Sequence, residues 1–336
     1  MKINQIDTDQ QVFIVAEIGN NHEGDFAVAR ELIRQAAKAG ADAVKFQTFL
    51  PEYLAGGDAA RFKRLQGFQF SYEQFAELAQ FAQAEGIIFF STPFDPQSAT
   101  FLNQIQPIFK IASSDNTHWP FLEQIAGFGK PVILSTGMST LAEVTEMEKV
   151  IRSAWQRLGS DPGLALLHCV SSYPAPPDQA NLRAVVTMSN QFPNCVPGYS
   201  DHTFGITAAL SAVALGARII EKHFTLDKQY SDFRDHELSA DPKDMKNLVD
   251  RIRELEKMLG DGEKAPQSNE IGMLTALRRS AAASRELKKG TVLDEADLIW
   301  VRPGSGVQWA DRSSIVGKSV NRDLGYAELI EVSDLD

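Results

Sequence analysis

Short apolar runs rich in β-branched and aromatic residues recur at residues 12–17, 43–47, 87–92, 108–113, 131–136, 164–169, 195–200 and 218–223. The segments between them are loops or show helical spacing, as in Ala27, Leu32, Ile33, Ala36 and Ala37. A strand buried on both faces reads as a nearly continuous apolar run, and alternation with helices implies parallel pairing through right-handed crossovers. Eight such units predict an α/β chain closed into a (β/α)8 TIM barrel.

Polar residues break this pattern mostly at the ends of the runs. They are Glu17, Lys45 with Gln47, Thr92, Lys110 with Ser113, Ser135 with Thr136, His168, Ser200 to His202, and Glu221 with His223. The carboxyl ends of all eight strands of such a barrel meet at one face, where its chemistry sits. These residues are therefore site candidates, although a solvated strand end explains any single Ser or Thr equally well.

A barrel of about 250 residues leaves part of this chain of 336 unaccounted for. The Gly, Asp, Glu, Lys and Pro composition of the segment starting at Gly260 predicts a linker over 260–276, so the barrel covers 1–259. Residues 277–336 carry short β-like runs and the turns Lys289-Gly290 and Pro303-Gly304-Ser305-Gly306, which predict a small β-rich module.

Composition narrows the partners. With 44 acidic against 33 basic residues the formal net charge is −11, a field that opposes nucleic acid or an anionic membrane surface. An anionic substrate must then be drawn by local positive charge. No apolar stretch reaches the 18 or so residues of a membrane span and no secretory leader is apparent, so a cytoplasmic location is expected. The two cysteines, Cys169 and Cys195, lie in predicted strands without metal or redox spacing and are expected to be free core thiols.

Glu17 ends an apolar strand, where a carboxylate is costly to bury without a partner or a task, and this makes it the general-base candidate ahead of Glu23. Lys45 and Lys110 stand inside apolar runs. Two such lysines predict a site for a phosphate or carboxylate group, or internal ion pairs with Glu17 or Glu221, and the two readings can coexist. Hydroxyls at Ser91-Thr92, Ser113-Ser114, Ser135-Thr136 and Ser171-Ser172 add neutral donors along the same rim. His202 and His223, at successive strand ends, are the best pair for a divalent metal acting as a Lewis acid. His168 could join them or pack as a hydrogen-bonded residue.

The segments Ala16-Glu17-Ile18-Gly19-Asn20-Asn21-His22-Glu23-Gly24, Val44-Lys45-Phe46-Gln47-Thr48, Phe109-Lys110-Ile111-Ala112-Ser113, Gly198-Tyr199-Ser200-Asp201-His202-Thr203 and Glu221-Lys222-His223-Phe224-Thr225 resemble, in order and spacing, the sialic acid synthase family. The tail, with Leu287-Lys288-Lys289-Gly290 and Val301-Arg302-Pro303-Gly304, is similar to the antifreeze-like SAF domain that members carry after the barrel. The resemblance implies condensation of phosphoenolpyruvate with an N-acylated hexosamine, typically N-acetylmannosamine, to a nine-carbon keto sugar acid. It implies a manganese or magnesium ion on His202 and His223, and a domain-swapped homodimer. It places Lys45, Gln47, Thr92, Lys110, Ser113, Asp115, Ser135, Ser171, Tyr173 and Ser200 around the substrates, and Arg302 in a partner's sugar site. Glu17, Glu221 and Asp235 are the implied catalytic acids and bases.

Ser171, Ser114-Asp115 and Phe233-Arg234-Asp235-His236 depart from the family pattern where it recognises its substrates, so a 2,4-diacetamido acceptor of the legionaminic or pseudaminic type is the alternative. Two other classes stay open. A Schiff-base aldolase would use Lys45 or Lys110 as nucleophile, and a carbohydrate- or ice-binding protein would rest on the tail alone.

Overall fold

Helix boundaries follow the local chemistry. Asp25 accepts from the Ala27 and Val28 amides and starts α1 (Phe26–Ala39), which stops at Gly40 in the left-handed region. Ser71 with Gln74 and Thr140 with Glu143 form reciprocal caps at the starts of Tyr72–Ala84 and Leu141–Leu158. Each of these helices turns one apolar face inward.

In the computed structural model, which describes residues 1–336, those helices surround eight parallel strands: β1 (Phe13–Gly19), β2 (Ala43–Thr48), β3 (Ile88–Pro93), β4 (Phe109–Ile111), β5 (Val132–Ser135), β6 (Leu164–Cys169), β7 (Val196–Asp201) and β8 (Ile219–His223). The hydrogen-bonded order is β3-β2-β1-β8-β7-β6-β5-β4. The barrel is thus ladder-bonded all round except between β3 and β4, which lie side by side without a ladder.

Strand parity divides the side chains. Phe13, Val15, Ala43, Phe90, Ile108, Ile133, Ala165, Leu167 and Ile219 fill the barrel interior, joined by Ile3 from an N-terminal hairpin of Lys2–Ile3 with Ile6–Asp7. Their neighbours, such as Ile14, Ala16, Val44 and Phe46, face outward onto the helices. Side chains alternate along a strand, so two residues beyond the apolar interior layer the same parity brings in Glu17, Lys45, Thr92, Lys110, Ser135, Cys169 and Glu221.

The chain separates into two compact units, Met1–Gly260 and Asp261–Asp336. In the second, Ser280–Ala283 pairs antiparallel with Leu298–Val301 around a core that includes Ala281, Leu287, Leu293, Ile315, Val320 and Ile330. Within the segment expected to be a linker stands a short helix, Ser268–Ile271, with a second following at Leu274–Leu277; Gln267 and Glu270 cap the first reciprocally. No helix is long and apolar enough to cross a membrane.

Candidate active site

A cavity of about 990 Å³ opens at the carboxyl ends of the strands. At its floor the ionic side chains are buried and interlocked. Lys45 Nζ lies 2.8 Å from Glu17 and 3.7 Å from Glu221, and donates to Thr92 Oγ1 at 2.9 Å. Lys110 Nζ donates to Ser135 Oγ at 2.7 Å and to the Ile111 carbonyl at 3.2 Å, and lies 3.8 Å from Glu221. Ser200 Oγ donates to Glu221 at 2.8 Å, and Gln47 reaches Glu17 at 3.4 Å. The internal ion pairs expected of the two lysines, with Glu17 and Glu221, are thus formed.

Burial separates the two carboxylates electrically. Glu17 is pushed up to about 7 by burial and by the charge of Glu221, against the pull of Lys45. Burial also opposes ionisation of Glu221, yet Lys110, Lys45 and Ser200 outweigh it and hold it below the usual carboxylate range. One carboxylate stays charged while the other can take or give a proton near neutrality, the division of labour that acid–base chemistry requires. Burial draws Lys110 below the ordinary lysine range, whereas for Lys45 the two carboxylates overcome burial and raise it.

The imidazoles of His202 and His223 meet with ring centroids 5.5 Å apart, and the Tyr173 ring packs against His202 at 4.1 Å, tilted by 33°. His202 Nδ1 donates to the Val170 carbonyl at 2.7 Å, which leaves the lone pair on Nε2. His223 Nδ1 is buried without a hydrogen-bond partner. Burial lowers the pKa of both rings, so both are neutral at pH 7 and able to ligate. No group of three or more His, Cys, Asp or Glu is arranged to hold a metal. Two neutral imidazoles, one with an unpartnered ring nitrogen, are a donor set compatible with an ion that takes its other ligands from water or substrate.

Ser113, Ser171 and Asp235 also line the cavity. Burial raises Asp235, whose carboxylate lies 3.4 Å from Arg234. Asp115 is not part of the wall; it accepts from Ser114 instead. Arg302 lies exposed in the second unit. His168 has outward parity and its Nε2 bonds the Ala180 carbonyl at 2.9 Å, so it takes the packed role. Thr136 likewise turns away, to the Leu167 carbonyl.

Cys169, expected in the core, faces the cavity beside Ser113 at 3.1 Å; both cysteines are free. With Ser171 it crowds Gly137, where an added Cβ would lie 2.4 Å from Ser171 Oγ, 2.7 Å from Ser113 Oγ and 2.9 Å from Cys169 Sγ. Sequence reasoning missed the helix Ala59–Phe68, which builds the upper wall together with the loop at Ser231–Arg234, whose Phe233 and Arg234 belong to the segment already singled out. Phe68 meets Phe233 edge to face at 5.4 Å, and Arg234 lies over Tyr173 at 4.8 Å. Glu23 accepts from Ser231 and, at 3.0 Å, from His236, tying that loop to the turn after β1.

Polar groups this costly to bury, converging at the carboxyl face of a (β/α)8 barrel, define the class as a barrel enzyme. A model of the NeuB family matches residues 32–264 and one of the SAF domain matches 278–336. The chain belongs to the NeuB family, the sialic acid synthases, and carries a SAF domain after its barrel. It is 41% identical to an N,N'-diacetyllegionaminic acid synthase of Legionella pneumophila, over 93% of this chain and 91% of that one. A pseudaminic acid synthase of Campylobacter jejuni is 35% identical, over 99% of each. The crystal structure of an N-acetylneuraminic acid synthetase from Leptospira borgpetersenii superposes with a TM-score of 0.75 at 38% identity, covering 80% of this chain and 93% of that chain.

Proposed function

We propose that this chain condenses phosphoenolpyruvate with the open-chain aldehyde of an N-acylated amino sugar, giving a nonulosonic acid and phosphate. The observation that carries this reading is the pairing, in one cavity, of two buried lysines backed by hydroxyls with two neutral imidazoles. Lys45 and Lys110, with Thr92, Ser113, Ser135, Ser171 and Ser200, hold the anionic substrate. A carbon–carbon bond forms between its methylene carbon and the aldehyde carbon, water adds to the phosphate-bearing carbon, and the carbon–oxygen bond to phosphate breaks. Glu17 accepts the proton of that water, and Glu221 and Asp235 orient sugar hydroxyls or move protons to them.

Manganese or magnesium, bound through His202 and His223, would supply Lewis-acid polarisation of the aldehyde oxygen. Exhaustive chelation is expected to remove turnover, and His223→Ala to weaken manganese binding in calorimetry tenfold or more, one of only two protein ligands being lost. Full activity of a chelated, metal-free sample would overturn this part.

The acceptor is best supported as a 2,4-diacetamido sugar, ahead of N-acetylmannosamine. The relatives named for N,N'-diacetyllegionaminic acid stand at 41% and 38% identity, against 33% for the human N-acetylneuraminate-9-phosphate synthase. Leu54, Phe68 and Phe233 also give the wall apolar surface that suits a second acyl methyl. Phosphate release with phosphoenolpyruvate and each acceptor, followed by mass analysis of the keto acid, tests the whole reading. No release with any amino sugar would end it. The reading extends to a homodimer in which Arg302 serves the acceptor of a second copy.

Gly137→Ala offers a local check. Its Cβ would meet three short, packed side chains that must all turn aside, so a loss of about 1–3 kcal/mol of stability is expected. The displaced Ser113 and Ser171 hydroxyls should raise the KM for phosphoenolpyruvate about tenfold, roughly the worth of one charge-assisted hydrogen bond. An unchanged KM would remove both serines from the anion site.

A further inference from the structure

We infer that Arg61 and Arg64, at the rim of the cavity, form a second anion subsite that holds a phosphate monoester above the buried lysines. This inference rests on the proposed function for the identity of its ligand. Both arginines lie on the Ala59–Phe68 helix, one turn apart, and both line the cavity. Like charges on neighbouring turns of one helix face destabilise it. In a chain with 44 acidic residues, neither has a carboxylate within ion-pairing distance, whereas Arg34, Arg152, Arg253 and Arg322 each have two.

The acids of the same wall are already engaged. Glu17 and Glu221 face the lysines, Glu23 accepts from His236 and Ser231, and Asp235 pairs with Arg234. Asp232 is the exception, lining the wall without an ion pair. The rim helix is also fixed in place. Gly24, at φ +85°, lets the turn after β1 approach so closely that an added Cβ would lie 2.0 Å from the Gly67 carbonyl oxygen, one turn beyond Arg64. Phe68 then packs on Phe233 across the mouth. Two exposed guanidiniums without an acidic partner are thus carried on a fixed helix that lines the cavity, and Arg presents a fork matched to phosphate oxygens.

A trianionic substrate approaching a protein of net charge −11 is repelled at long range, and a cationic rim reverses that field locally. Phosphoenolpyruvate on its way to Lys45 and Lys110 is accordingly the ligand, since the acceptor favoured above carries no phosphate. A phosphate ester on the acceptor is the other source of the same chemistry.

The full chain and its Arg61→Gln/Arg64→Gln variant would be compared at low and at roughly physiological salt. The variant should keep kcat, lose about tenfold in kcat/KM for phosphoenolpyruvate at low salt, and show a flattened salt dependence. Arg61→Lys/Arg64→Lys should restore most of the salt dependence, which a purely structural role for the helix would not. A loss confined to phosphorylated acceptors, with phosphoenolpyruvate kinetics unmoved, would assign the subsite to the acceptor's phosphate. Wild-type kcat/KM, salt dependence and acceptor selectivity in the variant would overturn the subsite. Inorganic phosphate titrated by calorimetry separates the two readings: loss of a weak phosphate site in the variant supports the rim even if no amino sugar turns over.

Discussion

Lys110→Met is expected to weaken phosphoenolpyruvate binding by about 2 kcal/mol or more, some thirtyfold, while leaving the folded chain as stable as before or slightly more so. The two halves come from one fact. Lys110 is fully buried, and burial lowers its pKa despite the attraction of Glu221. A lysine whose pKa is lower in the folded than in the unfolded chain subtracts stability at every pH below that lowered value. The Glu221 attraction is already contained in that net effect, so removing the ammonium relieves a cost, and methionine refills the volume. Lys45 has the opposite sign: its pKa is raised, because Glu17 and Glu221 together outweigh burial. Lys45→Met should therefore destabilise the chain by about 3–5 kcal/mol, as expected when one partner of a buried pair is left alone. Calorimetric titration with phosphoenolpyruvate and urea denaturation read the two effects separately. Equal destabilisation by both variants, or unchanged phosphoenolpyruvate affinity in Lys110→Met, would refute this account of the floor.

How far the site could be read in advance follows from the periodicity of the strands. An apolar run with one charged residue near its end announces both a buried strand and an inward charge, and Glu17, Lys45, Lys110 and Glu221 all sit where that logic puts them. Parity was the discriminator left unused at β6. Counting Ala165, Leu167 and Cys169 as inward would have turned His168 away and brought the thiol into the cavity. The gap between β3 and β4 had no such signal, because both strands carry the same apolar composition as their ladder-bonded neighbours. The upper wall was harder still. Pro51–Ala55 and Ala59–Phe68 are extra helices between β2 and Tyr72–Ala84, and the second buries a single residue, Leu65, so its pattern is that of a solvated helix. Its relation to the mouth depends on the Gly24 contact, which spans more than forty residues of sequence.

Glu17→Gln is expected to lower kcat by about 10³-fold, within the 10² to 10⁴ that a positioned general base contributes. Gln is isosteric and keeps Lys45 within hydrogen-bonding reach, so the loss would report the proton and not the shape of the site. The wild-type pH profile gives the matching sign. Glu17 must be deprotonated to accept a proton from water, and burial with the neighbouring charge of Glu221 pushes it up to about 7. As pH falls through about 7 the base is progressively protonated, so kcat should fall tenfold per pH unit on the acid side and level off above it. Glu221 cannot produce this limb, because Lys110 and Lys45 hold it below the usual carboxylate range. In Glu17→Gln the residual activity should lose the limb near 7, and this distinguishes a base from a residue that only supports Lys45. If the variant retained both a wild-type kcat and the same acid limb, the water-activating role would pass to another group, with Asp235, raised by burial and lining the same cavity, next in line.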